Sequence, residues 1–565
     1  MARQLSNDLG QKNDRDRLNQ FATISSANEM YKAEQGFARV LLMNMGGRTM
    51  YKKKLLSIMM ASAMVMTSIT GCGSSKADAS GDASVAANSD NSTEDSNGEY
   101  PVIKVAYTTA QDTVDEPLIE EELNKIMREK ANAEVDLVSI SFGDWSTQLN
   151  LLLTGNNEDS IDLFDSFWYT PLANLVANGQ IMDITEYMDD EGKGIKELYS
   201  GDMEAYLKCG QINGKQYGIP GMYAFCNENF YYCDAETAEN ANIDWDTVND
   251  VDSMSDTILK LKEANPDKYF VPGSTELYWF PKNIDNLGDS KYLGVLMDPT
   301  ESTVVSNYYE SDDFVNMLNH VKEWKEAGAI SPDPLSNNNP TINNLALGVA
   351  AGTPGYGWDT DINTATTNVQ QALNLVGHAV SKPLSTTSDV TTFMWHVSAF
   401  CKNPEAAMRV LNVLYTDADA SMLVSNGIEG KHYVINENGQ MEYPEGVNNL
   451  MEMGWNASSL AYWPNVMLDK SWNYEPADIY EKMQQKNKEC DRSLALGFAF
   501  DSTNVADQIT ACTNVVSQYY VPLMYGEVDI ESTLSGFQQA LKDAGIDEII
   551  AEKQAQLDKW LAENN

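Results

Sequence analysis

The stretch from Tyr100 to Phe164 constrains the fold most, because it alternates short apolar strands with amphipathic helices. IKVAY (Ile103 to Tyr107) reads as a strand, and Glu116 to Lys130 as a helix with Leu118, Leu123, Ile126 and Met127 at helical spacing. Val135 to Ile140 reads as a second strand, and a helix starting near Asp144 carries Leu149, Leu151 and Leu152. IDLF (Ile161 to Phe164) follows as a third strand. Strand, helix, strand, helix, strand is the pattern of a parallel α/β sheet, since parallel neighbours need a long crossover between them.

Ahead of this domain, Lys52, Lys53 and Lys54 precede an uncharged run from Leu55 to Thr70. A basic segment followed by a short apolar one is a secretory signal, and the run is shorter than the roughly 20 apolar residues of a membrane-spanning helix. It ends in Ile69-Thr70-Gly71-Cys72, which resembles the lipobox of bacterial lipoproteins, with Ile69 and Thr70 where that motif usually has Leu and then Ala or Ser. The resemblance makes residues 50–71 a signal peptide and Cys72 the lipidated first residue of the mature chain. Residues 72–100 are rich in Ser, Asp, Asn, Ala and Gly, so they are expected to act as a disordered tether that buries too little apolar surface to fold. A diacylglyceryl cysteine supplies two chains, enough for stable anchoring. Residues 1–49 are polar and precede a complete signal, and Gly46-Gly47 can be encoded by purine-rich codons just ahead of Met50. Translation is therefore expected to start at Met50, with residues 1–49 an over-extension of the reading frame.

Of the chain's 38 Lys+Arg and 83 Asp+Glu, ten and five lie in residues 1–71, leaving the mature part at a net charge of −50. Such a surface repels nucleic acid and disfavours polyanionic ligands. The 494 residues from Cys72 onward exceed the roughly 250–300 at which a single core stops growing, so two or more lobes are expected. After Cys72, the cysteines are Cys209, Cys226, Cys233, Cys401, Cys490 and Cys512, none in a C-x-x-C spacing. With only four histidines none completes a zinc spacing, so no metal site is expected, and the thiols are either buried or paired in one or two disulfides.

IDLFDSFWYTPLANLVANGQIMDITEYM (Ile161 to Met188) resembles the passage of bacterial extracellular solute-binding proteins, of the maltodextrin-binding type, in which a strand ends in the ligand cleft. GQINGKQYGIPGMYAFCNENFYYCD (Gly210 to Asp234) resembles the hairpin and strand that cross to the second lobe of that family. Asn213-Gly214 independently marks a type I′ turn there. ALGVAAGTPGYGWDT (Ala346 to Thr360) and FMWHVSAFCKNPEAAMRVLNVLY (Phe393 to Tyr415) resemble its second-lobe strand and its return strand and helix. Gly427 to Gly446 and the region from Gly497 onward resemble an uncharacterised C-terminal region found in one lipoprotein subgroup, and Asn438-Gly439 reads as a hairpin turn, not a calcium loop. Val505 to Met524 and Asp529 to about Asn564 read as helices, the second interrupted at Gly545. The family implies a two-lobed periplasmic-binding-protein-like (type II) α/β fold with a hinge and an interlobe ligand cleft. Its topology puts residues 101–221 plus 396–497 in the first lobe and 222–395 plus 498–565 in the second.

For chemistry, the chain has no G-x-S-x-G elbow, no H-E-x-x-H and no phosphate-binding glycine loop. In so acidic a chain any single carboxylate pair is uninformative as a glycosidase signature. Aromatic rings beside carboxylates or amides carry more information, because a neutral sugar stacks its apolar face on a ring and offers its hydroxyls to a carboxylate. Such neighbours make Asp165, Trp168, Tyr169, Tyr223, Asn227, Trp279, Trp358, Asp359, Trp395 and Trp463 the candidate ligand residues. A ring within an apolar run is more often core than platform; Trp168 and Trp358 stand in polar surroundings after strands, where loops present ligands. The resemblance implies a receptor on the outer face of the membrane, monomeric and without cofactor, handing a solute, an oligosaccharide first of all, to an ABC importer. A surface glycoside hydrolase, a peptide receptor and a structural adhesin are the competing readings, and the absence of internal repeats disfavours the last.

Overall fold

The computed structural model describes residues 100–109, 113–154, 160–167, 169–274, 283–339, 343–455 and 463–564. The opening alternation folds as its periodicity predicts, into β1 (Val102–Thr109), α1 (Glu116–Lys130), β2 (Glu134–Ser141), α2 (Trp145–Leu152) and β3 (Leu163–Asp165). After α3 (Leu172–Ala177) comes a hairpin whose Asn213 (φ 51°) and Gly214 (φ 74°) have the backbone of the type I′ turn. β4 (Ile219–Pro220) closes this region, and the chain crosses to β5 (Glu228–Asp234), α4 (Val251–Ala264), α5 (Asp312–Glu326), β6 (Gly352–Gly357), α6 (Thr360–Gln371) and β7 (Leu375–Ala379). It returns through β8 (Leu384–Ser385) and α7 (Thr387–Val390) to β9 (Met394–Val397) and α8 (Pro404–Thr416). α9 (Ile479–Glu489) and β10 (Asp491–Arg492) lead out again to α10 (Ala506–Met524), α11 (Ile530–Asp543) and α12 (Ile546–Asn564).

Two sheets result. The first has the order β2-β1-β3-β9-β4, with β1 parallel to β2 and β3, and with β9 antiparallel to β3 and β4. The second has the antiparallel order β6-β5-β7. The change of lobe expected between residues 395 and 396 falls inside β9, where Met394 and Trp395 already pair with Pro220 and Ile219.

Each sheet has its own core. Ile103, Val105, Leu123, Leu411 and Trp395 fill one side of the first sheet, and Ala106, Trp145, Leu149 and Phe164 the other. Tyr231, Ile258, Leu318 and Trp324 form the second core, joined by Val516, Leu541 and Ile549 of the C-terminal helices. The predicted face of α1 needs correction: Leu118 is exposed, and the buried positions are Ile119, Leu123, Asn124 and Met127. Asn124 is tolerated there because its amide donates to Val135 O at 2.9 Å and accepts from Val135 N at 2.6 Å, leaving neither group unpaired. In α2 only Leu149 of the three expected leucines is buried. The break expected at Gly545 is present, with φ +96°, and a Cβ there would meet Gln508 Cγ at 2.6 Å. All six cysteines downstream of the tether are free thiols.

Between α8 and α9 lie two partly buried carboxyls, Asp469 and Glu475. Burial pushes Asp469 up to about 7 although it accepts from Ser421 Oγ at 3.0 Å, and it pushes Glu475 up to about 7 as well. A carboxyl whose folded pKa lies above its ordinary value near 4 stabilises the fold below that value and loses the contribution as pH rises through about 7. We therefore expect Asp469→Asn to lose less stability than the wild type between pH 5 and pH 8, read as the change in urea midpoint. Equal losses in the two proteins would show that Asp469 does not titrate in this window.

Candidate functional site

Three segments carry the chain between the sheets, and they are bonded side by side. Asn227 N donates to Leu384 O at 3.0 Å and Leu384 N to Asn227 O at 2.9 Å, while β8 pairs with β10 through Leu384↔Asp491 and Ser385↔Arg492. Beside this hinge lie the carboxyl ends of β1 and β3, where open α/β sheets hold their ligands. β3 ends in Asp165, whose Oδ1 accepts from Phe167 N at 2.9 Å and Met394 N at 3.0 Å. It is 6% exposed, and burial pushes its carboxyl well above the usual range. Asp165 thus staples the end of β3 to the start of β9. The staple holds Phe167 and Phe393 stacked with centroids 4.6 Å apart, and Tyr223 lies edge-on to Phe393 at 4.9 Å. Phe142 adds a further ring, 6.3 Å from Phe167.

From the second sheet, Tyr356 of β6 reaches the same place. Its ring is 45% exposed, yet its hydroxyl donates to Asp389 Oδ1 at 3.4 Å. Asp389 is a hub: Oδ1 also accepts from Asn227 Nδ2 at 2.7 Å, and Oδ2 accepts from Thr386 N at 3.0 Å and Thr386 Oγ1 at 2.7 Å. Burial pushes it up to about 6 against those hydrogen bonds. Tyr223 donates its hydroxyl to Asp389 O and, at 3.2 Å, to Val390 O. Trp358, two residues past Tyr356, is half-buried against the first core. Asp359 accepts from Ile362 N at 2.9 Å at the start of α6 and pairs with Lys486 Nζ at 3.1 Å.

A cavity of about 550 Å³ opens beside this hub. Its first-lobe wall includes Ser166 and Tyr169, its floor Thr391 and Thr392, and its second-lobe wall Ser290 and Phe500. The Tyr169 hydroxyl donates to Asn150 Oδ1 at 2.9 Å and accepts from Gln180 Nε2 at 3.0 Å. Half of the lining residues carry hydroxyls or rings; Lys291 is among the others, and the carboxylate, Asp289, is committed to Lys291 N at 2.8 Å, Leu293 N at 3.0 Å and Lys553. Another cavity, of about 480 Å³, lies along Asp298–Thr300 and Val380–Leu384. Its lining belongs to the second lobe and the hinge, so it cannot bring both lobes onto one ligand. Among the described residues no cluster of His, Cys, Asp and Glu could hold a metal ion.

The structure places Tyr169 in the lining of the cavity, Tyr223 and Asn227 on Asp389, Trp358 half-buried against the first core and Asp359 on Lys486. It takes Trp395 and Trp463 out of reach of a ligand: each is 1% exposed, and they stack on one another 5.7 Å apart in the first core. Trp168 and Trp279 lie outside the described residues. Tyr356, Asp389, Phe167 and Phe393 were not expected. A signal for Tyr356 exists in the sequence, since it stands two residues before Trp358 in the same glycine-rich stretch.

Two α/β lobes joined by three crossing segments, with a cleft over the hinge, define a hinged ligand-capture protein. Residues 106–421 match the family of bacterial extracellular solute-binding proteins, and the chain belongs to it. Residues 494–562 match a domain of unknown function (DUF3502). A carbohydrate ABC transporter substrate-binding protein of Streptococcus pneumoniae is 26% identical over 474 residues, 82% of this chain and 92% of that one. The crystal structure of an N-glycan transport solute binding protein from the same organism superposes with a TM-score of 0.68 at 21% identity, over 82% of this chain and 100% of that one. In complex with Man5GlcNAc, that protein superposes with a TM-score of 0.60 at 20% identity, over 82% and 99%. These likenesses establish the type II fold.

Trp395→Ala is expected to lower unfolding free energy by about 3–5 kcal/mol, as for a large buried aromatic. Tyr356→Ala, with its half-exposed ring, is expected to lower it by less than about 1.5 kcal/mol, most of it the lost hydrogen bond. Urea titrations would check both, and equal losses would contradict the division between core and cleft.

Proposed function

We propose that this chain is a lipid-anchored receptor that captures a neutral oligosaccharide between its lobes and delivers it to an ABC importer. The observation that carries this reading is the lining of the interlobe cavity, hydroxyls with aromatic rings and no carboxylate pair among the described residues. Hydroxyl groups exchange hydrogen bonds with sugar hydroxyls, and rings stack on sugar faces. The carbohydrate and N-glycan names of the relatives support the same ligand class. A glycoside hydrolase would need two carboxyl groups about 5–9.5 Å apart across the bond, whereas Asp289 is committed to backbone amides and Lys553. The reading therefore has no catalysis and no cofactor; transport energy comes from a separate ATPase.

We place residues 101–221 with 396–497 in the first lobe and 222–395 with 498–565 in the second, adjusted so that all of β9 lies in the first. Packing of α8 and Met483 on the first core, and of α10 to α12 on the second, supports that division. Cys72, outside the described residues, is the proposed anchor, holding a monomer on the outer face of the membrane.

Calorimetry of the soluble chain against Man5GlcNAc, a maltodextrin, kestose and a peptide panel tests the ligand class. A glycan is expected to bind, and Tyr169→Ala, which removes a ring from the cavity lining, to weaken it several-fold, since one stacked ring contributes about 0.5–1.5 kcal/mol beyond its buried area. Binding of peptides alone would overturn the sugar assignment. Separately, Cys72→Ala is expected to release folded protein into the medium; retention on membranes after a high-salt wash would rule out lipidation as the anchor.

A further inference from the structure

The hydroxyls that line the interlobe cavity are not equally free to give and to take. A hydroxyl has one proton to donate and two lone pairs to accept with, so the destination of that proton decides what it offers a ligand. Thr391 Oγ1 donates to Thr387 O at 2.8 Å, Thr392 Oγ1 to Ser388 O at 2.8 Å and Ser388 Oγ to Asn286 Oδ1 at 2.8 Å. Tyr169 gives its proton to Asn150 Oδ1. These protons are spent on the protein, and what the oxygens keep for a ligand is lone pairs.

Ser166, the residue after β3 and half-buried in the first-lobe wall, is set by a histidine. The ring of His396 in β9 is fully buried: Phe164 packs against it with centroids 5.3 Å apart, and a Cβ at Gly218 would lie 2.6 Å from its Cε1. Its Nδ1 is 2.9 Å from Tyr217 O and its Nε2 is 2.9 Å from Ser166 Oγ. A carbonyl oxygen can only accept, so Nδ1 carries the ring proton. Burial pulls the ring down to about 4 and keeps it neutral, which leaves Nε2 without a proton. The serine proton therefore goes to Nε2, or to Met394 O at 3.3 Å, and both are acceptors of the protein. Ser166 can meet a ligand only through its lone pairs.

We propose that Ser166, with Thr391 and Thr392 of the floor, forms an acceptor surface that selects the solute by its donor protons: it takes free sugar hydroxyls or amide N–H groups and refuses the same positions once they are O-methylated or O-acylated. Ser166 is the specificity-determining residue of this surface, and His396 is the positioning residue that turns it. The inference deepens the oligosaccharide reading of the cavity and rests on it. A free hydroxyl leaving water gives its proton to the surface and keeps a hydrogen bond, whereas a capped oxygen meets only lone pairs and forfeits the bond it had to water. The second-lobe wall works in the opposite sense, because the ammonium of Lys291 there can only donate. The solute is thereby held with a polarity, its donors toward the first lobe and the floor and an acceptor toward Lys291.

The test is calorimetry of the full soluble chain with the probe, Man5GlcNAc, a maltodextrin or kestose, that the wild type binds most tightly. Ser166→Ala is expected to weaken binding about three- to tenfold, and Ser166→Thr, which keeps the hydroxyl, to stay within about twofold of the wild type. Analogues of that probe with one hydroxyl at a time replaced by fluorine lose the proton at nearly constant size. One of them is expected to bind the wild type more weakly than the parent and to bind Ser166→Ala as well as the parent does. Equal losses in the two proteins for every analogue, or a Ser166→Ala variant that binds like the wild type, would overturn this proposal alone. Were the wild type to bind no glycan, the oligosaccharide reading would fail and this proposal with it. Nitrogen-15 NMR of the histidine-labelled wild type reads the tautomer without any ligand: His396, picked out by its shift in either Ser166 variant, is expected to carry its proton on Nδ1, and a neutral ring protonated on Nε2 would overturn the proposal while leaving the sugar reading standing.

Discussion

The structure depends on how the chain is held where it passes between its sheets. Three crossings would be slack if each were an independent strand, but Leu384 is bonded on one side to Asn227 and paired on the other with Asp491. Charge reinforces the backbone there. Lys486 of α9 reaches Glu228 and Asp359, each at 3.1 Å, so the first lobe's helix is tied to the ends of two second-lobe elements. Burial pushes the Lys486 ammonium down, and the two carboxylates outweigh it, leaving its pKa raised. Glu228 is further satisfied by Thr360 N at 2.8 Å and Thr360 Oγ1 at 2.7 Å. Buried ion pairs add little net stability relative to apolar residues, but breaking one leaves an uncompensated charge. This cluster therefore fixes which elements meet at the hinge more than it deepens the energy well.

Much of this architecture is legible in the sequence because it follows from local rules. The alternation before Phe164, the Asn213-Gly214 turn and the break at Gly545 each depend on a period or on a backbone angle that few residues adopt. The cleft was harder to read. Trp395 and Trp463 look like a ligand platform, since each stands beside a polar or aromatic neighbour, but β9 is covered on both faces and all four of its residues are buried. A strand buried on both faces shows no alternation, so its sequence cannot say which rings reach a ligand. Asp165 misled for a related reason: a carboxylate at a strand end suits a ligand, and equally suits two backbone amides. Asp389 was missed because its partners come from three separated stretches, and Tyr356 because the neighbouring Trp358 is the larger ring.

Where the polar groups are spent bears on the chemistry of the cleft. The carboxylates around the hinge are committed: Asp165 to Phe167 and Met394, Asp389 to Asn227 and Thr386, Asp359 and Glu228 to Lys486. About half of the residues lining the cavity carry hydroxyls or rings, and hydroxyls both donate and accept; its charged members are Asp289, already committed, and Lys291. In the proposed receptor this matters when the lobes close. Burying an unpaired carboxylate against a neutral ligand would oppose closure by several kcal/mol, while a hydroxyl trades one hydrogen bond for another at little net change. The acidic surface, at net −50 beyond residue 71, can then serve solubility without placing an uncommitted carboxylate in the site.

Tyr356 couples these two roles. Its hydroxyl is held by the same Asp389 that gathers Asn227 and Thr386 from the crossing segments, while its ring projects from the second-lobe sheet. A ring anchored only in its own lobe would move with that lobe and report nothing of the hinge. Anchored at the hub, its position depends on the relative setting of β6 and the crossings. A rotation that lengthens the 3.4 Å contact to Asp389 would leave a half-buried carboxyl one donor short, which opposes wide opening; one that shortens it would strengthen the bond. In the proposed receptor the setting of Tyr356 is thus a property of the hinge and not of either lobe alone.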